Sequence, residues 1–290
     1  MPKKLFFIKL IQAGYLLIIN PSLFFKYLKC HLKYLLPKCF FRGKEKNING
    51  VIFSLNFDYP IDKTYLKQIY LDCYEVSLVE MMKKILKPGD TFIDVGANIG
   101  NLTALGASLV GKDGEVHSFE PIPLYFQKLR ELASKNPGYK IIINNCALGE
   151  KTGVFKIDFA KPPHIGGSTL ILDTLHEHIP RETIEVPIKR LDDYIKKRNL
   201  QKISLIKIDV EGFEFPVLKG LKNYFETTQD RPVIICEIVP SAYPALGESR
   251  LQLIEYMKNY GYWAYNIMNP KLKVDITKLK EGTNIIFRAV

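Results

Sequence analysis

Lys207, Asp209 and Glu211 alternate through "IKIDVEGFEFPVLKG", residues 206 to 220, within an apolar run of Leu205, Ile206, Ile208 and Val210. Side chains of an extended run point to opposite faces in turn, so the three charged groups share one face if the strand continues to Glu211. Unpartnered buried charge is costly. A charged face on an otherwise apolar strand marks a candidate site, and a carboxylate there can orient a ligand or take a proton.

A second stretch, "TFIDVGANIGNLT", puts Asp94 at the end of an apolar strand and follows it with Gly96, Asn98 and Gly100 before a helix. Glycine permits unusual dihedrals and close backbone approach, so this turn can press against a ligand that Asp94 faces. The spacing is Gly-x-x-x-Gly. It is not the Gly-x-Gly-x-x-Gly that cradles a dinucleotide pyrophosphate, which argues for a ligand without phosphates. The next strand ends in "EVHSFEP", where Glu120 is placed to accept hydrogen bonds from both hydroxyls of a ribose. A third strand runs into "NNCALG", whose Asn145 and backbone through Ala147 can read the edge of an adenine ring. Three successive strand ends thus suit a methionine-like head, a ribose and a base. That ligand is S-adenosylmethionine, whose sulfonium suits an acidic pocket free of phosphate-binding groups.

These stretches also carry a resemblance. "PGDTFIDVGANIGNLT", "VHSFEPIP", "NNCALGE", "GGSTL", "VPIKRLDDYI" and "IKIDVEGFEFPVLKGL", in that order, resemble the FkbM-like methyltransferases of the class I, S-adenosylmethionine-dependent fold. The resemblance covers about Tyr74 to Glu237 and leaves residues 1 to 50 outside. It implies a seven-stranded, doubly wound Rossmann-like sheet with an antiparallel last strand, and O-methylation, often of a sugar or natural-product hydroxyl; recruitment to a membrane would add a lipid-linked sugar as acceptor. Tyr74 and Glu75 match a Tyr-Glu pair of the family pattern and are expected to close over the cofactor.

In a doubly wound sheet the fourth strand lies beside the first across the switch point, so Asp209 would sit beside the methyl donor. An alcohol acceptor must lose a proton, and Asp209, Glu211 and His164 are the candidate bases. The first two are preferred because a strand end fixes them. Gly166, Gly167 and Ser168 are expected to wall the acceptor site, with Lys207 and Glu237 as further acceptor contacts. Lys207 also has Asp209 or Glu237 as ion-pair partners. Glu214 reads as an outward carboxylate at a helix N-terminus. His176 and His178 flank Glu177 without a longer ligand pattern, so no metal is expected.

Alternating apolar runs and helical stretches from about Val51 are the signature of a parallel sheet with crossover helices. Expected strands are 91 to 95, 115 to 119, 140 to 144, 205 to 210 and 233 to 237. Two more, 263 to 267 and 284 to 288, lack room for a crossover helix and suggest an antiparallel pair at the sheet end. Residues 150 to 190 read as an inserted hairpin joined through "KPPHIGGSTL". The division is a basic helical extension over 1 to 50 and one methyltransferase domain over 51 to 290.

The net charge of +11 is uneven: ten of the 41 basic residues and one of the 30 acidic ones lie in residues 1 to 46, leaving 31 basic and 29 acidic for the body. A near-neutral body argues against nucleic acid as a partner and for something attached to the front. Asn20-Pro21-Ser22 divides the front into helices over about 4 to 19 and 22 to 36. In the second, Phe24, Leu28, Leu32 and Leu35 make a stripe apart from Lys26, Lys29 and Lys33. This pattern fits a helix on an anionic membrane or one packed on the main domain with solvated lysines. The charge-free stretch from Leu10 to Phe25 is short for a bilayer span of about 20 residues. Five scattered cysteines fit a reducing compartment, so the expected location is cytoplasmic or peripheral on a membrane. The competing readings are an NAD-dependent oxidoreductase and a non-catalytic nucleoside-binding scaffold.

Overall fold

A computed structural model describes residues 17–34, 45–55, 63–160 and 181–290. Helix α1 (Pro21–Tyr34) precedes a hairpin of β1 (Glu45–Ile48) and β2 (Val51–Ser54), then α2 (Lys63–Tyr70) and α3 (Val76–Ile85). The doubly wound unit follows as β3 (Thr91–Val95), α4 (Asn101–Val110), β4 (Glu115–Phe119), α5 (Pro123–Lys135) and β5 (Lys140–Asn144). A short β6 (Ala147–Leu148) leads to β7 (Gly153–Ala160) and β8 (Arg181–Lys189). The chain continues through α6 (Leu191–Arg198), β9 (Ile203–Ile208), α7 (Glu214–Lys219), α8 (Lys222–Thr227) and β10 (Val233–Ile238). It closes with α9 (Ala242–Ala245), α10 (Arg250–Asn259), β11 (Tyr262–Asn266) and β12 (Thr283–Ala289).

Seven strands form one sheet in the order β11-β12-β10-β9-β3-β4-β5. The pairs β10·β9, β9·β3, β3·β4 and β4·β5 are parallel, whereas β12 runs antiparallel to both β10 and β11. The order reverses between β3 and β9, which creates a crevice at the carboxyl ends of those strands. All five residues of β3 are buried, with Phe92, Ile93 and Val95 apolar, and β9 is buried through Leu205, Ile206, Lys207 and Ile208. A near-continuous apolar run is what a strand covered on both faces requires, and each such side chain contributes about 1.5–3 kcal/mol on burial.

The expected hairpin is a three-stranded sheet in the order β6-β8-β7, with β7 and β8 antiparallel and Ile157, Phe159, Val186 and Ile188 buried. "KPPHIGGSTL" lies outside the described residues, as do the histidines at 176 and 178 and most of the expected first helix. The fourth strand ends at Ile208, two residues short of expectation, because the chain turns sharply: Glu211 and Gly212 both take positive φ, 55° and 105°. Helix α1 packs on the body through Leu23, which is buried next to Val76, and through a Lys26–Glu80 ion pair. Tyr27 hydroxyl lies 3.2 Å from Ser77 Oγ. The inward face thus differs from the expected stripe, since Leu28 and Leu32 are exposed together with Phe25. The expected division at residue 50 falls in the turn of the β1–β2 hairpin, where Asn49 and Gly50 both have positive φ.

Candidate active site

The alternation of charge through Lys207, Asp209 and Glu211 is answered by a cross-strand pair. Lys207 on β9 lies opposite Asp94 on β3, and both are buried, at 3% and 0% exposure. Lys207 Nζ is 3.6 Å from Asp94 Oδ1 and 3.5 Å from Asp209 Oδ2. It donates to the carbonyl of Gly96 at 2.9 Å and lies 3.4 Å from that of Val95. Burial alone would pull the ammonium pKa down, but Asp209, Asp94 and Glu75 outweigh it and raise the pKa. One buried cation therefore ties the glycine turn after β3 to the end of β9. Buried ion pairs of this kind serve geometry more than stability.

Asp94 does not face the crevice as expected. Its Oδ2 accepts from Thr103 Oγ1 at 2.7 Å, and that hydroxyl accepts in turn from Ser118 Oγ at 2.9 Å. The carboxylate thus lies beneath the floor, where Oδ2 anchors the start of α4 and Oδ1, without a hydrogen bond among the described residues, faces Lys207.

Above this floor is a cavity of about 270 Å³. The strand ends that line it follow the sheet order: Cys146, Ala147 and Leu148 after β5, Phe119 and Glu120 after β4, Gly96, Ala97 and Asn98 after β3, then Lys207, Asp209 and Glu211. Glu120 is 4% exposed. Its Oε2 accepts from the Asn98 N–H at 2.8 Å and its Oε1 from the Ile122 N–H at 2.9 Å. Burial raises its pKa to about 7, opposed by those two N–H groups and by Lys207. Such a carboxylate gains from further donors aimed at its remaining lone pairs.

Tyr74 lines the cavity and meets Tyr65 edge-on, with ring centroids 4.8 Å apart. Burial raises both phenol pKa values. Glu75 sits beside them in a left-handed conformation and accepts from Asn284 Nδ2 at 2.9 Å. Burial and then Asp209 raise its pKa to about 7. Glu237, the last residue but one of β10, is next in line, its pKa raised to about 9 by burial and by Asp209 and Glu211.

Of the expected site residues, Tyr74, Gly96, Asn98, Glu120, Ala147, Lys207, Asp209 and Glu211 line one cavity. Asp94, Glu75, Glu237, Gly100 and Asn145 stand behind or beside it. Gly100 packs on Leu129, which a β-carbon would approach to 2.7 Å. Asn145 turns its amide onto the carbonyls of Glu120 and Pro121, at 2.9 and 3.1 Å, so it shapes the wall and leaves the lining to Cys146 through Leu148. His164, Gly167 and Ser168 lie outside the described residues. Glu214, expected to point outward, is fully buried: Oε1 accepts from the N–H groups of Val210 and Gly212 at 3.1 and 2.9 Å, pinning the turn that presents Asp209 and Glu211. Burial raises its pKa to about 8. Sequence reasoning missed Tyr65, Asn101, Tyr125 and Ile157, all in the lining. Asn101 alone had a local signal, as the first helical residue after the glycine turn.

The Methyltransferase FkbM domain matches residues 94–263, more than half of the chain. The chain is 32% identical over 184 residues to the 31-O-demethyl-FK506 methyltransferase FkbM of Streptomyces tacrolimicus, covering 54% of this chain and 67% of that one. It is 26% identical over 153 residues to the hexuronic acid methyltransferase AglP of Haloferax volcanii, covering 53% of this chain and 59% of that one. Among solved structures, the Methyltransferase FkbM of Methylobacillus flagellatus aligns with a TM-score of 0.40 at 18% identity, over 78% of this chain and 55% of that one. The matched span runs from Asp94 to Trp263 and takes in every strand end that lines the cavity. By that match the chain belongs to the FkbM methyltransferase family.

Proposed function

We propose that this chain uses S-adenosylmethionine to methylate a hydroxyl oxygen on a glycan, lipid-linked sugar or small natural product. The observation that carries the reading is the single cavity in which Glu120, the Cys146–Leu148 wall and Asp209 meet in sheet order. Its residues suit that cofactor: Glu120 has buried carboxylate oxygens for ribose hydroxyls, Ala147 and Leu148 offer an apolar wall for a base, and Asp209 favours a positive sulfur. When bound, S-adenosylmethionine supplies a methyl group on a sulfonium. Asp209 or Glu211 would take the proton of an acceptor hydroxyl held at this turn. Lys207 and Glu214 hold that turn so the acceptor oxygen is positioned, which is the larger part of such catalysis.

The names of two relatives, one acting on demethyl-FK506 and one on a hexuronic acid, point the acceptor class toward oxygen-rich small molecules and sugars. The exposed Phe25, Leu28 and Leu32 recur at helical spacing on α1, in the segment that holds ten basic residues, which supports peripheral attachment to an anionic membrane. No helix among the described residues is long and apolar enough to cross one.

The test is mass spectrometry of uronic acids, lipid-linked sugars and polyketide alcohols incubated with the full chain and S-adenosylmethionine. A product heavier by one CH₂, with release of S-adenosylhomocysteine, is expected. Cofactor binding without turnover on any acceptor would favour the scaffold reading, and binding of NAD in its place would favour the oxidoreductase.

A further inference from the structure

A second cavity, of about 440 Å³, adjoins the first through Tyr74 and Asn101, which line both. It lies between α1, the β1–β2 hairpin and α3. Four lysines line it: Lys26 and Lys29 from α1, Lys46 from β1 and Lys83 from α3. Against these four stand two carboxylates, Asp72 and Glu80, an excess of two positive charges. Lys26 and Lys83 share Glu80, and Lys46 is held by Asp72 at 2.6 Å. Three ammonium groups are thus fixed by partners, and Lys29 has neither an ion pair nor a hydrogen bond among the described residues.

A concave wall with an excess of one sign focuses its field and concentrates counter-charge. Lysines that only kept α1 soluble would spread over its outer side, where Phe25, Leu28 and Leu32 are exposed. Instead two lysines of α1 join two from the body around one hollow. The volume falls in the range of small-ligand sites, roughly 300–1,000 Å³. A ligand filling it meets Tyr74, and beyond Tyr74 lies the cavity of Asp209 and Glu211.

We propose that this lysine-lined cavity binds an anionic group of the methyl acceptor, a phosphate or a carboxylate, and so places the neighbouring hydroxyl at the methyl-transfer pocket. The assignment rests on the methyltransferase reading above. It also gives the basic front segment a role in substrate choice.

The experiment is titration calorimetry of the full chain with inorganic pyrophosphate and, separately, glucuronate, each with and without saturating S-adenosylhomocysteine. Saturable binding of at least one probe, retained in the presence of S-adenosylhomocysteine, is expected, and the tighter probe identifies phosphate or carboxylate as the source. Lys29→Glu should weaken that binding by about tenfold or more, the value of a charge-assisted contact, while leaving S-adenosylhomocysteine affinity unchanged. Lys83→Glu, on a different element, should do the same. The proposal is overturned if neither probe saturates, if S-adenosylhomocysteine displaces the probe, or if both variants bind it like the parent. Failure of S-adenosylhomocysteine itself to bind would instead reject the methyltransferase reading, leaving the probe result to stand alone.

Discussion

The carbonyl oxygen of Asp209 fills the space beside Gly96 where a side chain would begin: a β-carbon there would lie 1.8 Å from it. Gly96 also has φ +75°, a conformation L side chains rarely adopt. Two strand ends are thus locked backbone to backbone at the switch point. Gly96→Ala should destabilise the fold by about 2 kcal/mol or more and weaken cofactor binding with it. Chemical denaturation reads the first effect and calorimetry with S-adenosylhomocysteine the second; an unchanged unfolding midpoint would mean the contact yields easily.

Glu120 is the proposed ribose contact. Glu120→Ala should weaken S-adenosylhomocysteine by about tenfold to a hundredfold, the loss of hydrogen bonds to a charged acceptor. Hydroxyl donors favour the ionised carboxylate, whose pKa in the free protein is raised to about 7. Binding therefore releases a proton, and affinity should rise with pH up to about 7 and level off above it. Calorimetry in buffers of different ionisation enthalpy would expose that proton, and a flat profile from pH 6 to 8 would remove Glu120 from the contact.

Asp209→Asn keeps the shape of the turn and removes the proton acceptor. It should leave S-adenosylhomocysteine affinity within a few-fold of the parent and lower turnover by about 10² to 10⁴. If turnover holds while Glu211→Gln abolishes it, the base is Glu211.

Glu214 links the site to stability. Its folded pKa, about 8, stands above the ordinary 4.5, so between those values the folded chain binds more protons than the unfolded one. Stability contributed by this group is full below about pH 4.5 and is lost as pH rises through 8. Glu214→Gln, neutral at every pH, should flatten the parent's decline by up to about 1.4 kcal/mol per pH unit in that window. Glu214→Ala, which also loses the acceptor for Val210 and Gly212, should in addition lower kcat. Denaturation midpoints for parent and Gln variant at pH 5.5, 7 and 8.5 make the comparison; parallel curves would show that Glu214 is ionised throughout.

The first three strands of the doubly wound unit were legible to the residue, because Thr91–Val95, Glu115–Phe119 and Lys140–Asn144 are short apolar runs bounded by turn-forming residues. The acids that close them were legible as a set. What each acid touches was not. Asp94 and Asp209 look alike in sequence, yet one lies under the floor and the other in the wall, because register across β3 and β9 sets Lys207 opposite Asp94. That register includes an irregularity between Thr91 and Phe92, which no spacing announces. Glu214 reads as a helix-end carboxylate because the strand's early stop at Ile208 and the left-handed Glu211 that fold the turn back over it are tertiary choices. Tyr65 and Ile157 reach the cavity from elements remote in the chain, and only packing brings them in.

The place of β12 between β10 and β11 has a consequence for how the protein is born. A ribosome delivers β10 and β11 before β12, so β10 and β11 emerge with a gap between them and their facing hydrogen-bonding edges bare. Residues Thr283–Ala289 must slot into that gap, and only with them does Asn284 arrive to hold Glu75 at the rim. Bare strand edges on a nascent chain invite mispairing until β12 fills the gap.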